Sequence, residues 1–125
     1  MREFVKGMVL AAPILLVGAS GLSANNFDGK WKGLGSSDDT TCPSFIFNVN
    51  VDDGTVNGFA QLPDQTLGID GTVDAKGQFL GEVTTIGITV AELTGAIEFE
   101  KGVGIWQTVL GDYCEGTFAV ERLPQ

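Results

Sequence analysis

The sequence contains no histidine. The usual serine or cysteine catalytic triad needs a histidine base, and the common zinc sites need histidine or closely spaced cysteines. The two cysteines, Cys42 and Cys114, lie far apart and in no such spacing. We therefore expect no catalytic residue of these kinds, no metal and no cofactor.

Long hydrophobic runs are absent as well. The longest one covers about residues 8–17 and is interrupted only by Pro13, whereas a membrane-spanning helix needs roughly 20 apolar residues. Arg2 and Lys6 precede this run, and small residues follow it up to Ala24. The order basic, apolar, small is typical of a secretory signal peptide.

We predict that residues 1–24 are a signal peptide and that residues 25–125 form one mature domain, located in the periplasm or outside the cell. Cleavage after Gly21 or Ser23 is an alternative, because both residues are small. Retention of the segment as a transmembrane anchor is another, but the run is short for that role. We expect no stable membrane span after cleavage.

Positive charge is scarce. The chain has 16 acidic and seven basic residues, and Glu3, Arg2 and Lys6 belong to the predicted signal peptide, which leaves a mature net charge of −10. Such a negative field repels nucleic-acid phosphates and anionic lipid surfaces, so no nucleic-acid partner is expected. The charge favours solubility, and cationic partners or metal cations are alternatives.

Stretches of helix-forming residues are also few, and the 18 glycines stand among β-branched and aromatic residues. Apolar and polar residues alternate along most of the mature chain, and Asp-Asp-Gly and similar turns separate the alternating segments. The pattern predicts about eight short strands. The clearest inward phases are Phe45-Phe47-Val49-Val51, Leu67-Ile69-Gly71-Val73, Phe79-Gly81-Val83, Leu93-Gly95-Ile97-Phe99 and Cys114-Gly116-Phe118-Val120.

Hairpin following hairpin indicates an all-β antiparallel meander, and about eight strands can close into a small barrel. Glycines at inward positions would let the barrel bend and would make room for phenylalanine rings. The inward glycines are Gly29, Gly71, Gly81 and Gly95.

The two cysteines form an even pair in a chain predicted to be exported, and this favours a disulfide over a reactive thiol. Cys42 precedes the second strand and Cys114 precedes the last one. Closure of the barrel would bring these two places together. A bridge over about 70 residues should stabilise the fold by about 4 kcal/mol.

The segment Phe27-Asp28-Gly29-Lys30-Trp31-Lys32-Gly33 resembles the Gly-x-Trp opening strand of lipocalin-like and avidin-like barrels. In these families the tryptophan plugs one end of the barrel and a basic residue of the closing strand packs on it. The resemblance implies such a plug between Trp31 and Arg122, the only arginine after the predicted signal peptide.

The closing segment Cys114-Glu115-Gly116-Thr117-Phe118, followed by Arg122, resembles that of small secreted bacterial proteins of uncharacterised function. Periplasmic metalloprotease inhibitors are similar in size and also have a Gly-x-Trp strand, a disulfide and a barrel. The resemblance to these inhibitors implies an alternative function: the protein would inhibit a secreted or host hydrolase through Asn25 and Asn26, or through a rim loop.

Two sets of residues remain as candidate sites. Trp106 lies out of phase with Val103 and Ile105, so either it marks an exposed binding surface together with Tyr113, or the strand is buried or slipped. The pairs Asp38-Asp39 and Asp52-Asp53 are weak candidates for a carboxylate-based enzyme or a calcium site, because aspartate is common in turns for backbone reasons.

The sequence favours an exported, non-enzymatic binding module with an unknown small apolar ligand or a protein partner. A carrier of a small ligand needs an empty barrel interior. If Phe45, Phe47, Phe79 and Phe99 fill the interior, a ligand has no room there.

Overall fold

The computed structural model describes residues 24–124. The predicted signal peptide therefore lies outside the described residues, except for Ala24. A short 3-10 turn (Ala24–Phe27) is followed by eight strands, and no helix among the described residues is long and apolar enough to cross a membrane. The strands are β1 (Gly29–Ser36), β2 (Phe45–Asp52), β3 (Thr55–Gln61), β4 (Thr66–Val73), β5 (Gln78–Thr85), β6 (Ile88–Ile97), β7 (Lys101–Thr108) and β8 (Glu115–Arg122).

Each strand pairs antiparallel with the next, and β8 pairs with β1, so the sheet closes into a barrel in plain meander order. The predicted fold class is confirmed. Tight turns explain the order: Asp53 and Gly54 both have positive φ, the conformation of the two-residue turn that best matches the twist of a hairpin. Closure also leaves no unpaired sheet edge.

A column of aromatic rings fills most of the interior. The ring centroids of Phe79 and Phe118 lie 6.0 Å apart, those of Phe118 and Phe47 5.6 Å, those of Phe47 and Phe45 5.9 Å, and those of Phe45 and Trp106 5.3 Å. Three of the four contacts are edge-to-face, which suits the charge distribution of aromatic rings. The column leaves no continuous channel from end to end.

Each ring occupies the space over a glycine. Gly33 pairs with Phe47 across β1 and β2, and a Cβ at Gly33 would lie 2.5 Å from the Phe47 ring. Gly104 pairs with Phe118 across β7 and β8, and its Cβ would lie 2.3 Å from that ring. Glycine at these positions is therefore required for space. Of the glycines predicted to make room for rings, Gly81 does so for Phe79 and Gly95 for Phe118, with Cβ positions 2.7 Å and 2.9 Å from those rings.

Phe99 is a correction to the predicted core. The strand β6 ends at Ile97, and Phe99 lies in the turn to β7 with 68% of its surface exposed. The apolar alternation of residues 93–99 continues beyond the end of β6 at Ile97, so the sequence pattern wrongly placed Phe99 in the core. Phe99 instead packs over the Arg122 guanidinium, 5.4 Å from its ring centroid.

Arg122 and Trp31 close the end of the barrel at which β1 begins, here called the plugged end. The guanidinium carbon of Arg122 lies 5.0 Å from the centroid of the buried Trp31 ring, and the two residues are paired across β1 and β8. Trp31 Nε1 donates a hydrogen bond to the Phe27 carbonyl at 2.9 Å, and Arg122 donates one to the Asn26 carbonyl. The N-terminal turn is thereby fixed over this end.

The disulfide joins Cys42 and Cys114, whose Cα atoms lie 5.8 Å apart and which are 72 residues apart in sequence. It ties the connection before β2 to the residue before β8, as predicted. A structural disulfide is consistent with a location outside the reducing cytoplasm.

Reduction of this disulfide should lower the free energy of unfolding by about 4 kcal/mol, because the unfolded chain regains the freedom of a long loop. Urea denaturation with and without a reductant measures the difference. The Cys42→Ser, Cys114→Ser double variant should match the reduced protein and should not respond to reductant. Equal stability of the oxidised and reduced protein would contradict the prediction.

Replacement of Arg122 by Ala should lower the free energy of unfolding by about 1–2 kcal/mol, because one guanidinium loses its contact with the Trp31 ring. The loss should be larger than in Lys76→Ala, which removes a positive charge from an exposed turn at the same end. Chemical denaturation of both variants measures the two losses of unfolding free energy. Equal losses would mean that charge alone, and no ring contact, explains the effect.

Candidate functional site

The two ends of the barrel are built differently. Four connections lie at the end opposite the plug, here called the mouth: residues 37–44, 62–65, 86–87 and 109–114. The N-terminal turn is hydrogen-bonded over the plugged end, whereas a cavity lies among the connections at the mouth. A site open to a ligand therefore belongs to the mouth.

A cavity of about 320 Å³ opens at the mouth. Its volume lies at the lower limit of that of small-molecule sites. The walls come from inward residues near the mouth ends of six strands, and they are predominantly apolar. They include Phe45, Ala60, Leu67, Val83, Ala91 and Leu93. Among all residues that line this cavity, Asp112 is the only charged one.

Trp106 belongs to the wall of this cavity and not to an exposed surface. Its side chain is only 4% exposed, and the out-of-phase neighbours Val103 and Ile105 face solvent instead. The Trp106 indole Nε1 donates a hydrogen bond to the Ser36 carbonyl at 3.2 Å. Of the alternatives that the sequence left open for Trp106, exposure does not hold, because in this strand the glycine and tryptophan phase faces inward and the valine and isoleucine phase faces outward.

The turn between β5 and β6 carries an unusual residue at the mouth. Ile86 has φ of +52° and Gly87 has φ of +78°, and the Ile86 side chain is 97% exposed. A β-branched residue is rare with positive φ, and asparagine or glycine normally occupies this turn position. Strained backbone conformations cluster at functional sites, so Ile86 is a candidate for contact with a ligand or partner.

Other apolar side chains extend this rim. Ile88 and Val109 are exposed, and so is Leu110, which also lines the cavity. A group of exposed apolar side chains next to a cavity indicates a binding site, whereas apolar residues exposed singly are common on any protein surface.

The connection between β7 and β8 is held in place firmly. Thr108 Oγ1 donates to the Asp112 carbonyl at 3.1 Å, and the Cys114 amide donates to Thr108 Oγ1 at 2.9 Å. The Val109 amide donates to the Val90 carbonyl at 2.9 Å. The disulfide fixes the far end of the same connection, so the position of Asp112 at the rim is set by several contacts.

Tyr113 is exposed on the outer side of this connection. Its hydroxyl donates to Glu115 Oε1 at 2.9 Å, and this hydrogen bond to a carboxylate raises the pKa of Tyr113 above its ordinary value. Tyr113 borders a groove of about 470 Å³ on the outer wall, which also includes Asp38 and Glu115. Trp106 borders the same groove as well as the mouth cavity, but its side chain is buried, whereas Tyr113 is exposed.

The aspartate pairs lie at opposite ends of the barrel. Asp39 Oδ1 accepts hydrogen bonds from the Thr41 amide and hydroxyl, which lower the pKa of Asp39 below its ordinary value. Asp53 lies in the turn before β3, where its amide donates to Asp28 Oδ1 at 2.7 Å. Among residues 24–124, no group of three or more acidic or cysteine residues could hold a metal ion, so Asp52 and Asp53 gain no further ligand there.

Sequence reasoning missed the residues that define the mouth. Ala60 and Ala91 look like ordinary core residues, but their small side chains leave the cavity open. Ile86 carried a readable signal, because Ile-Gly between two threonine-rich strand segments is an uncommon turn sequence. No sequence signal pointed to Asp112, because only the closed barrel places it at the mouth cavity.

No protein-family model matches the sequence, and no curated protein matches it significantly.

Replacement of Ile86 by Asn should raise the free energy of unfolding by about 1 kcal/mol, because asparagine tolerates the positive φ that isoleucine resists. Urea denaturation measures the change. The control is Ile88→Asn, which makes the same substitution within strand β6 and should lower stability or leave it unchanged. A loss of stability in Ile86→Asn would show that the turn is not strained.

Proposed function

We propose that the protein is an exported, non-enzymatic binding module that takes an apolar ligand into the mouth of its barrel. One observation carries the proposal: the barrel interior is filled by rings except at the mouth, where an apolar cavity of about 320 Å³ remains. Burial of apolar surface supplies about 25 cal/mol per Å², which is the main favourable term for such a ligand.

The aromatic column limits the kind of binding. Phe45, Phe47 and Phe79 are buried, so a ligand that threads the whole barrel has no room. The ligand would instead rest on Phe45 and Trp106 and would contact the rim with its other end. This arrangement of one end closed by tryptophan and one open end supports a likeness to lipocalin-like barrels as part of the proposal.

Export is part of the proposal. The signal-like pattern of residues 1–24 and the disulfide between Cys42 and Cys114 both support a periplasmic or secreted location.

The rim also supports a second candidate, in which a protein partner inserts an apolar side chain into the mouth. A hydrolase inhibitor would belong to this class. The fixed position of the Ala24–Phe27 turn at the plugged end speaks against an inhibitory N-terminal arm, so an inhibitor would use the mouth connections, with Ile86 at their tip.

The neutral apolar dye N-phenylnaphthylamine tests the proposal, because its fluorescence rises in an apolar site. We expect saturable binding to the wild-type protein and at least about tenfold weaker binding to Ala91→Leu, whose larger side chain would fill the cavity. Trp106 lies in the cavity wall and should transfer energy to the bound dye.

The control is Ala96→Leu, which makes the same change on the outward face of the same strand. It should bind the dye as the wild type does. Absence of saturable binding to the wild type, or equal binding by Ala91→Leu, would exclude the mouth as the site. If Ala91→Leu binds the dye as well as the wild type does, an inhibition assay should next test whether the mouth connections bind a hydrolase.

A further inference from the structure

The charges of the described chain are divided unequally between the two ends of the barrel. All five basic residues of the mature domain lie at the plugged end or in the strand halves next to it: Lys30, Lys32, Lys76, Lys101 and Arg122. Eight carboxylates accompany them there. Within residues 24–124, the mouth half therefore carries no basic side chain, while it holds Asp38, Asp39, Asp64, Glu82, Glu92, Asp112 and Glu115.

Three of these carboxylates form a row on the outer wall below the mouth. Glu82 pairs with Glu92 across β5 and β6 and, on its other side, with Asp70 in the middle of β4. Glu92 pairs with Gln107, and Gln107 pairs with Glu115. Like charges at opposite positions of neighbouring strands repel each other, and here no lysine intervenes. The mouth therefore lies in a region of uncompensated negative potential.

Asp112 brings this potential to the cavity itself. It is the single charged residue of the lining, and the hydrogen bonds from Thr108 and the disulfide at Cys114 hold its connection in place. The outer end of a ligand whose apolar group fills the cavity would therefore lie beside the Asp112 carboxylate.

We propose that the ligand is a cationic amphiphile, with an alkyl or aryl group in the cavity and a positively charged amine or quaternary ammonium group at the rim beside Asp112. This inference rests on the proposed function and narrows its ligand class. A fatty acid or an alkyl sulfate is excluded by the same arrangement, because its anionic head would meet the Asp112 carboxylate and would find no lysine or arginine at the mouth to pair with.

Three amphiphiles with the same decyl chain test the inference below their micelle concentrations: decyltrimethylammonium, neutral decyl maltoside and decyl sulfate. Calorimetric titration of the full mature protein should give at least about tenfold tighter binding of the cation than of the neutral compound at low salt, and the weakest binding for the anion. The difference should shrink between about 0.01 M and 1 M salt, where the screening length falls from about 30 Å to 3 Å.

Two variants separate the cavity from general surface charge. Ala91→Leu keeps every charge but fills the cavity, so it should no longer bind the cationic amphiphile. Non-specific adsorption of the cation to the acidic surface would remain in this variant. Asp112→Asn should weaken cation binding by up to about fivefold, the effect of one exposed ion pair, and should leave neutral binding unchanged. Asp52→Asn removes a carboxylate at the plugged end and should change neither.

The outcomes are distinct. Equal binding of all three head groups, or preference for the anion, would overturn the cationic ligand while the apolar site stands. Cation binding that Ala91→Leu retains would overturn it too, because the charge would then act outside the cavity. Binding of none of the three, together with no binding of the neutral dye, would overturn the proposed function itself.

Discussion

The packing of phenylalanine rings over glycines is the constraint on which the rest of this structure depends. An eight-stranded barrel is just wide enough for side chains, so these rings fit only because the paired position on the neighbouring strand is a glycine. Gly33 under Phe47 and Gly104 under Phe118 meet this condition. The rings then stack as a column that holds the strands at a fixed spacing, and the interior is full wherever the column runs.

The site follows from where the column stops. Above Phe45 and Trp106 the walls are built from alanine, valine and leucine, and Ala60 and Ala91 are too small to fill the space between them. At the other end, Trp31 and Arg122 complete the filling with one ring and one guanidinium. The same architecture thus produces a closed end and an open end, and the division of charge between the ends gives the open one its negative character.

Much of the fold could be predicted because the information is local. The alternation from Phe45 to Val51 and the Asp53-Gly54 turn specify a hairpin without reference to the rest of the chain. The disulfide was predicted from the even pair of cysteines in a chain expected to be exported, and barrel closure indicated which connections it would join. Phe99 was misplaced because alternation alone does not show where a strand ends. The orientation of Trp106 stayed open because two opposite phases of its strand are both apolar. The cavity was beyond prediction, since it depends on side chains from six strands that meet only in the closed barrel.

The disulfide has one more consequence, which concerns symmetry. It joins the connection 37–44 to the connection 109–114, and these two are neighbours around the rim because β8 pairs with β1. The other two connections, 62–65 and 86–87, carry no covalent link; the first is closed by the hydrogen bond from the Leu62 amide to the Gln65 carbonyl. The mouth is therefore a rim of which one half is cross-linked by the disulfide and the other half is not. A bulky ligand at the mouth would therefore meet a covalently linked wall on one side, and on the other side the connections of Leu62 and Ile86, which only hydrogen bonds and packing hold.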